Sequence, residues 1–427
     1  MRHRKRAEPP TLSDEQLSKL LDEQCAYPGD AAAKETRISE QNIQDIKIYL
    51  DCLDRKASRT GQAMWSHRPR TYAILRTINR VSLIDEFIKQ GQNDFLLPWN
   101  QRTLPQCLFE NEPDDKAREA FLRAQHFYLT RFSVKGVETE GKKHQNLGEG
   151  ASGDHYFKKL RFLGQGGYGG VDEVRSCLSL KCYARKRVSR GRHNERNRRT
   201  QEVLIQELEN LKLLTRTKAH RHLVSIIGSY TDPEYIAYLM LPVAKGNLEQ
   251  FLGLEMSKET KARLRRFYGC LAGAIHHLHK NKFRHRDLKP RNILISGSEV
   301  YISDFGSAYN WAHSASGNTR HINTPVTREF MAPEIAKNEE RGEPSDMWSL
   351  GAIYLEMTTT LLGRSVAQLK QHVRKYSQEH KTTSHYHDNL PALSEWLKKL
   401  SSVETGGHDN EPIAWTRDLI RRRPDER

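Results

Sequence analysis

The sequence of 427 residues predicts an α+β protein with two lobes, preceded by a helical module, and three observations support this. Helical periodicity dominates the first 135 residues. Short β-branched and aromatic runs then follow one another after residue 155, with one strongly periodic helix among them. From residue 247 onward, helical periodicity dominates again. Strands that come first and helices that come afterwards are typical of an α+β domain.

The N-terminal region reads as a series of amphipathic helices. In "SDEQLSKLLDEQ", Ser13 can cap a helix while Gln16 reaches back to it. "ISEQNIQDIKIYLDCL", "RTYAILRTINRVSLIDEFIKQ" and "DDKAREAFLRAQHFYLTRF" carry apolar residues at helical spacing. We expect a helical extension over 1–135, a polar and glycine-rich linker over 136–157, and a second domain over 158–427.

Composition and charge limit the possible classes of function. The chain is 37% hydrophobic and 29% charged, which provides enough apolar residues for a core and disfavours a wholly disordered protein. A net charge of +16 favours anionic partners such as nucleic acid, acidic membrane surfaces or phosphate ligands. The six cysteines form no C-x-x-C pair and have no zinc-site spacing, so we expect an intracellular location, cytoplasmic, nuclear or both. No apolar run reaches 18 residues, so we expect no membrane segment.

A glycine cluster follows the first strand-like run of the second domain. "GQGGYGGV" matches G-x-G-x-x-G-x-V through Gly164, Gly166, Gly169 and Val171. Glycines allow backbone amides to approach phosphate oxygens without obstruction by a Cβ atom. A dinucleotide-binding loop would open into a helix, and a Walker A loop would contain G-K-[ST]; neither pattern is present. The cluster therefore predicts a strand–turn–strand flap.

A lysine and a glutamate follow the flap. Lys186 in "ARK" lies on a predicted strand, where it could hold phosphate oxygens as a point charge, although it could equally be one surface cation among several arginines. In the next helix, Glu207 of "QELENL" is the preferred partner of Lys186 because the leucines around it indicate a buried face. Glu202 and Glu209 are the competing candidates.

The stretch "RHRDLKPRN" (284–292) sets the single carboxylate of Asp287 among cations, with Asn292 at its end. Asp304 follows in "DFG", after a short strand. The side-chain oxygens of Asn292 and Asp304 suit Mg²⁺ shared with substrate phosphates. Asp287 is then available to orient and deprotonate a hydroxyl group, and Lys289 to neutralise charge on a transferring phosphoryl group.

These motifs together resemble the catalytic domain of eukaryotic protein kinases over residues 158–427. "GQGGYGGV", "ARK", "ELENL", "HRDLKPRN", "DFG", "TREFMAPE" and "SDMWSLG" occur in the order of that family. The resemblance implies the bilobal kinase fold, the cofactors ATP and Mg²⁺, and protein substrates. It implies that Gly164, Gly166 and Gly169 cover the ATP phosphates, that Lys186 pairs with the phosphates and Glu207, that Asp287 is the base, and that Asn292 and Asp304 bind Mg²⁺. It also implies an adenine pocket of Val171, Ala184, Met240, Leu241, Val243 and Leu294.

The resemblance carries further expectations. Lys289, with Thr327 as its contact, is typical of serine/threonine kinases. Arg286 implies control by phosphorylation of the following loop, where we expect Thr324 to be the switch rather than Ser314, Ser316 or Thr319. Asp346 is expected to brace the catalytic loop, and Glu334 to pair with Arg427. The family's last helix is expected to be missing after Arg427, and the N-terminal extension loosely resembles that of predicted fungal kinases.

Two alternatives remain open at this stage. A pseudokinase, an ATP-binding scaffold that acts through its N-terminal module, is favoured by the early end of the kinase-like segment and disfavoured by the intact Lys186, Asp287, Asn292 and Asp304. A nucleic-acid-binding protein is supported by the net charge and by the basic run at 185–199. That run lacks interleaved aromatic residues, so we expect ATP and protein substrates rather than nucleic acid as partners.

Overall fold

The structure of the protein is a computed structural model, which describes residues 12–29, 32, 36–110, 115–129, 132–140, 144–148, 151–165, 169–191, 195–217, 219–312, 327–403 and 408–427. These residues form two compact units. The first comprises residues 1–202 and 227–239, and the second comprises residues 203–226 and 240–427.

Among the described residues of the first unit, five α-helices precede the sheet. They are α1 (Asp14–Gln24), α2 (Glu40–Lys56), α3 (Pro69–Thr77), α4 (Ile84–Lys89) and α5 (Lys116–Ala124). The predicted cap of α1 is confirmed. The backbone amide of Gln16 donates to the Ser13 hydroxyl, and the backbone amide of Ser13 donates to the side-chain oxygen of Gln16. The helical character predicted for this region is therefore correct.

The third predicted helix is interrupted. The predicted stretch 70–90 contains α3 and α4 rather than one continuous helix, with a 3-10 turn, Val81–Leu83, directly before α4. The break contains Asn79, whose φ of 57° is in the left-handed region. Asparagine tolerates this region better than most residues, and a single left-handed residue ends a helix. The apolar spacing alone did not reveal this break.

An aromatic cluster forms the core of the helical part. The Phe87 ring lies 5.8 Å from Trp99, 6.3 Å from Phe109 and 5.3 Å from Phe121, measured between ring centroids. Phe87 and Phe121 are completely buried. Aromatic side chains bury large areas and prefer such tilted or edge-on arrangements. The cluster therefore gives this region a core of its own.

A six-stranded sheet follows in the order β1-β5-β6-β4-β3-β2. Its strands are β1 (His144–Asn146), β2 (Phe157–Gln165), β3 (Gly170–Ser176), β4 (Cys182–Ser189), β5 (Ser225–Thr231) and β6 (Tyr235–Leu241). Strands β2 and β3 pair in antiparallel fashion, as the strand–turn–strand prediction required. Helix α6 (Gly153–Tyr156) precedes β2, and α7 (Glu195–Thr217) follows β4.

The segment 136–157, predicted as a linker, contains regular structure. It includes a π-helical turn, Gly136–Glu140, and strand β1, which pairs in parallel with β5. The His144 ring lies within hydrogen-bond distance of the hydroxyls of Ser229 and Thr231, at 3.0 and 2.9 Å. All three residues of β1 are polar, so hydrophobic alternation could not reveal this short strand. The segment thus departs from the expected linker.

The helical part also contacts the sheet through a buried arginine. Arg190 donates hydrogen bonds to the backbone oxygens of Leu96, Pro98 and Asp232, and only 2% of its surface is exposed. Burial lowers the pKa of its guanidinium group to about 10. Arginine can satisfy several acceptors at once with its planar fork of donors. Arg190 therefore joins the end of β4 to the chain before α5.

The second unit contains the remaining elements. They are β7 (Gly246–Asn247), α8 (Leu248–Leu252), α9 (Lys258–Lys280), β8 (Phe283–Arg284), β9 (Ile293–Ser296), β10 (Glu299–Ile302), β11 (Tyr309–Asn310), α10 (Pro333–Ala336), α11 (Glu343–Leu361), α12 (Val366–His380), α13 (Leu390–Ser401) and α14 (Glu411–Leu419). Nearly every residue of α11 from Asp346 onward is buried, which makes it the central helix of this unit.

The predicted α+β class is confirmed, with the sheet before the mainly helical segment. Strands β10, β9 and β7 form a small sheet in the second unit, and β11 pairs with β8. Among the described residues, no helix combines the length and the apolar character needed to span a membrane.

Candidate active site

The catalytic-loop candidates converge on the carboxylate of Asp287, between β8 and β9. Lys289 Nζ lies 2.7 Å from Oδ2, and the Thr327 hydroxyl donates to Oδ1 at 3.0 Å. Lys289 also donates to the Thr327 oxygen at 2.8 Å, so the predicted contact between these residues is confirmed. The Asn292 amide donates to Oδ2 at 3.2 Å. The chain thus holds one carboxylate in a fixed position with three donors.

Asn292 connects this loop to the segment that contains Asp304. Its side-chain amide also donates to the Asp287 carbonyl at 2.8 Å. Its backbone oxygen accepts from both the amide and the hydroxyl of Ser303, at 2.9 and 3.0 Å. Since Ser303 precedes Asp304, these bonds bring the two predicted metal ligands onto adjoining backbone. Asp304 has φ of 65°, which is uncommon for a residue with a side chain.

His285 also stabilises the connection between the Asp287 loop and the segment that contains Asp304. One of its ring nitrogens, Nε2, lies 3.0 Å from the Ser303 carbonyl, and the Asp287 amide donates to the other, Nδ1, at 3.3 Å. Because a carbonyl only accepts, the proton of the neutral ring is on Nε2. The ring packs edge-on against Phe305, with centroids 5.1 Å apart. This completely buried histidine therefore orients both the base candidate and the "DFG" segment.

Asp346, near the start of α11, braces the loop as predicted. Its carboxylate accepts the backbone amides of His285 and Arg286, each at 2.8 Å. The ring of His279 contributes a third contact of 3.0 Å. Burial by itself would raise the pKa of Asp346, but the hydrogen bond and charge of His279, with the hydrogen bond from the Arg286 amide, bring it below its ordinary value. The ionised form is therefore the one that holds the loop.

A cluster of arginines lies beside this brace. Arg284, Arg286 and Arg341 line one small pocket together with Asp346. Burial, followed by the charges of Arg284 and Arg341, lowers the pKa of Arg286 to about 10. The Arg286 guanidinium carbon lies 4.2 Å from the centroid of the Tyr309 ring, a cation–π arrangement. The pocket is therefore strongly cationic.

Several predicted residues fall outside the described ranges. They are Gly166 of the glycine cluster and the four hydroxyl residues Ser314, Ser316, Thr319 and Thr324. The proposed switch at Thr324 therefore stays a prediction.

Helix α7 carries the predicted glutamate and a residue that sequence reasoning missed. Glu207 is 1% exposed, whereas Glu202 and Glu209 are exposed, which agrees with the preference for Glu207. Three residues on, Asn210 donates to the backbone oxygens of Phe305 and Ala308, at 3.3 and 3.1 Å. Asn210 therefore attaches α7 to the "DFG" segment. Its spacing of three from Glu207, on a buried helix face, was the available signal.

In the first unit, the sheet aligns other predicted residues. Gly164 on β2 pairs with Val171 on β3, and Val171 pairs with Lys186 on β4. Lys186 and Ala184 are both buried. At Gly169, an added Cβ atom would lie 2.3 Å from the Arg187 carbonyl oxygen, so only glycine fits there. Gly164, Val171 and Lys186 thus occupy neighbouring positions on three strands.

The remaining adenine-pocket candidates belong to the second unit. Met240 and Leu241 end β6, and Val243 follows them. Leu294 lies on β9, where it pairs with Asn247 of β7. These residues and those of β3 and β4 belong to different units, so the complete adenine pocket stays a prediction.

The predicted pair of Glu334 and Arg427 is confirmed. Arg427 Nη2 lies 2.6 Å from the carboxylate of Glu334, and both side chains are buried. The guanidinium carbon also lies 5.5 Å from the centroid of the Trp348 ring on α11. A buried charge needs such a partner because burying an unpaired charge costs free energy. This pair attaches the "APE" segment to the last residue of the chain.

Comparison with known proteins identifies the family of the chain. A family model for the protein kinase domain matches residues 157–421, which is more than half of the chain. The chain is 31% identical over 224 residues to serine/threonine-protein kinase AtPK2/AtPK19 of Arabidopsis thaliana, which covers 52% of this chain and 45% of the relative. It is 30% identical over 224 residues to serine/threonine-protein kinase shk2 of Schizosaccharomyces pombe, covering 52% and 33% of the two chains. It is also 30% identical over 227 residues to human serine/threonine-protein kinase ULK3, covering 50% and 44%.

The chain spans less than half the length of each of these relatives. The match to the kinase model begins at the first residue of β2 and ends shortly after α14. It therefore includes the glycine cluster, the Asp287 loop, the "DFG" segment and α11. The chain belongs to the protein kinase family.

Proposed function

We propose that the protein transfers the γ-phosphate of ATP to serine or threonine hydroxyl groups of protein substrates, with Asp287 as the general base. The observation that carries this proposal is the hydrogen bonding of the Asp287 carboxylate. An ionised carboxylate has about four acceptor positions. Three are taken by Lys289, Asn292 and Thr327. The carboxylate is thus held firmly and can still accept the proton of a substrate hydroxyl.

Lys289 has a second role in this proposal. It contacts Asp287 and Thr327 at once, which fixes its flexible side chain in one place. A positive charge in this position can stabilise negative charge that develops on the transferred phosphoryl group. Thr327 then acts as a positioning residue for both. Positioning and electrostatic stabilisation provide most of the catalysis in phosphoryl transfer.

The donor set fits the magnesium ion that kinase chemistry uses. The Asn292 amide nitrogen is engaged by Asp287, which leaves the amide oxygen as the coordinating atom. We propose that this oxygen and the Asp304 carboxylate hold Mg²⁺, since Mg²⁺ prefers oxygen ligands. When bound, the ion would neutralise phosphate charge. The protein's own contribution is to hold the two side chains on adjoining backbone through the bonds of Ser303.

Binding of the nucleotide is assigned to the residues that the family resemblance implies. We propose that Gly164, Gly166 and Gly169 cover the phosphates and that Lys186 binds them, with Glu207 as its partner. Gly164 pairs with Val171 and Val171 pairs with Lys186 on neighbouring strands, which supports this assignment within the first unit. The adenine ring would contact the remaining apolar candidates, namely Val171, Ala184, Met240, Leu241, Val243 and Leu294.

The serine/threonine assignment depends on the Lys289–Thr327 contact and on the relatives, whose names describe serine/threonine kinases. We further propose a kinase domain over 158–427 preceded by the extension over 1–135. All six cysteines are free thiols, which supports a cytoplasmic or nuclear location.

The experiment that tests the proposal is Mg²⁺-dependent transfer of labelled γ-phosphate from ATP by the full chain, with itself and a generic basic protein as acceptors. We expect label on serine or threonine that disappears in Asp287→Ala and Asp304→Ala. Asp418→Ala is the matched control, because Asp418 is an exposed residue of α14. Folded protein that binds ATP and transfers no label would instead support the scaffold alternative. Label on tyrosine would contradict the proposed specificity.

A further inference from the structure

Three side chains of the second unit place metal-binding atoms close together. His222, Cys270 and Glu299 each contribute one donor atom, and these atoms lie within 4.8 Å of one another. None of the three belongs to the proposed active site. We propose that they bind one divalent transition-metal ion of the zinc class. The site goes beyond the proposed kinase function and does not depend on it.

His222 is held firmly by its backbone and its ring. The Ile302 amide donates to the His222 carbonyl at 2.9 Å, which ties this loop to β10. Nδ1 of the ring lies 3.0 Å from the Val300 carbonyl. Because that carbonyl can only accept, Nδ1 carries the proton of the neutral ring and Nε2 keeps the lone pair. A hydrogen bond of this kind to a backbone carbonyl commonly orients histidines that bind metals.

The two carboxylate oxygens of Glu299 lie near two different side chains. Oε1 accepts from the Arg266 guanidinium at 3.1 Å. Oε2 lies 3.6 Å from His222 Nδ1, which is too long for a hydrogen bond. Since Glu299 begins β10, which is paired with β9, its backbone is also fixed. Arg266 therefore fixes one oxygen of the carboxylate, and the other, Oε2, lies beside the His222 ring.

Cys270 completes the set from helix α9. Burial and the charge of Glu299 raise the pKa of its thiol, whereas the charges of Arg266 and Arg221 lower it. The thiol is therefore protonated at neutral pH when no metal is bound. Metal binding would form a sulfur–metal bond and release the thiol proton to solvent, without any change of oxidation state. The thiolate and carboxylate would then offset the charges of the ion and of Arg266.

The donor types select the class of ion. Imidazole nitrogen, thiolate sulfur and carboxylate oxygen are the three ligand types of zinc, whereas Mg²⁺ and Ca²⁺ prefer oxygen alone. Three protein ligands leave a fourth tetrahedral position for water. The ligands come from the loop before β5, from α9 and from β10, so the ion would cross-link three elements. Because the ligands are far apart in the chain, sequence spacing could not reveal them.

The test is titration of the full, tag-free and metal-stripped chain with Co²⁺, followed by competition with Zn²⁺. We expect one Co²⁺ per chain, a thiolate-to-cobalt charge-transfer band and the visible bands of tetrahedral cobalt, all abolished by Zn²⁺. Cys270→Ser should remove the charge-transfer band, whereas the matched Cys177→Ser, at an exposed thiol, should keep it. Absence of the band from the wild type, or its persistence in Cys270→Ser, would overturn the proposal.

Two further measurements keep the test independent of folding defects. Glu299→Gln leaves the thiol in place and should weaken Zn²⁺ binding by more than the roughly 10–100-fold typical of losing a hydrogen-bond partner of a metal ligand. Zn²⁺ should also raise the melting temperature of the wild type and of Cys177→Ser but not of Cys270→Ser, because a ligand stabilises only the state that binds it. An equal rise in all three proteins would indicate adventitious binding and refute the site.

Discussion

Replacement of Asp346 by asparagine should lower the free energy of unfolding of the second unit. The carboxylate of Asp346 accepts two catalytic-loop amides at 2.8 Å and the ring of His279 at 3.0 Å. Asparagine has nearly the same shape but only one acceptor oxygen. If this oxygen keeps the bonds to His279 and His285, the new amide group faces the Arg286 N–H. One buried donor is then left without an acceptor, and the other bonds lose their charge.

The magnitude follows from these losses. A buried donor without an acceptor costs about 1–3 kcal/mol. The change from charged to neutral hydrogen bonding costs roughly a further 1–2 kcal/mol. We therefore expect Asp346→Asn to lower the free energy of unfolding by about 3 kcal/mol, which is a large fraction of the ordinary stability of a domain.

Urea unfolding followed by tryptophan fluorescence measures this change, since Trp348 lies completely buried two residues further along α11. Asp418→Asn, at an exposed position, is the matched control and should change the stability by less than about 0.5 kcal/mol. The pKa of Asp346 is below its ordinary value of 3.8, so its stabilisation is complete above that pH and disappears as the pH falls through the lowered value. A destabilisation under about 1 kcal/mol at pH 7 would contradict the claim that Asp346 holds the loop that contains His285 and Arg286.

Three other changes test separate parts of the structure. Thr327→Val removes a donor to Asp287 and should lower kcat about 10–100-fold in the phosphate-transfer assay, while Thr327→Ser restores it; an unchanged kcat would contradict the positioning role. Burial raises the pKa of Glu356 from 4.5 to about 7, so its charging disfavours the folded state as the pH rises from 4.5 to 7. The free energy of unfolding of Glu356→Gln, measured in urea, should therefore rise by on the order of 3 kcal/mol relative to that of the wild type between pH 5 and pH 8. A difference between the two proteins that stays constant over this range would refute the reasoning. Arg190→Gln should destabilise the first unit by about 2–4 kcal/mol, measured by hydrogen exchange of β4 and the chain around Leu96, and unchanged protection would count against the contact.

Short-range motifs were predictable because their residues meet through local backbone. Asp287, Lys289 and Asn292 lie within six residues of one another, and their mutual contacts follow from one loop. Family resemblance extended the prediction to long-range partners such as Asp346 and Thr327. Here the order of the motifs supplied what periodicity could not.

Other features depended on tertiary contacts that no local pattern records. Asn210 and His279 appear on helices as ordinary polar residues, and only the folded chain shows their partners. The end of α3 near Asn79 was hidden because the apolar spacing continues past it. Strand β1 was missed because its three residues are polar and its partner strand is far away in sequence.

The most direct test of the central claim separates ATP binding from phosphate transfer at Asp287. Asp287→Asn keeps the size of the side chain but cannot accept a proton from a substrate hydroxyl. We predict that its affinity for ATP and Mg²⁺ stays within about threefold of wild type, while the rate of transfer falls by roughly 10²–10⁴-fold. Transfer at more than a tenth of the wild-type rate by this variant would contradict the assignment of Asp287 as the base.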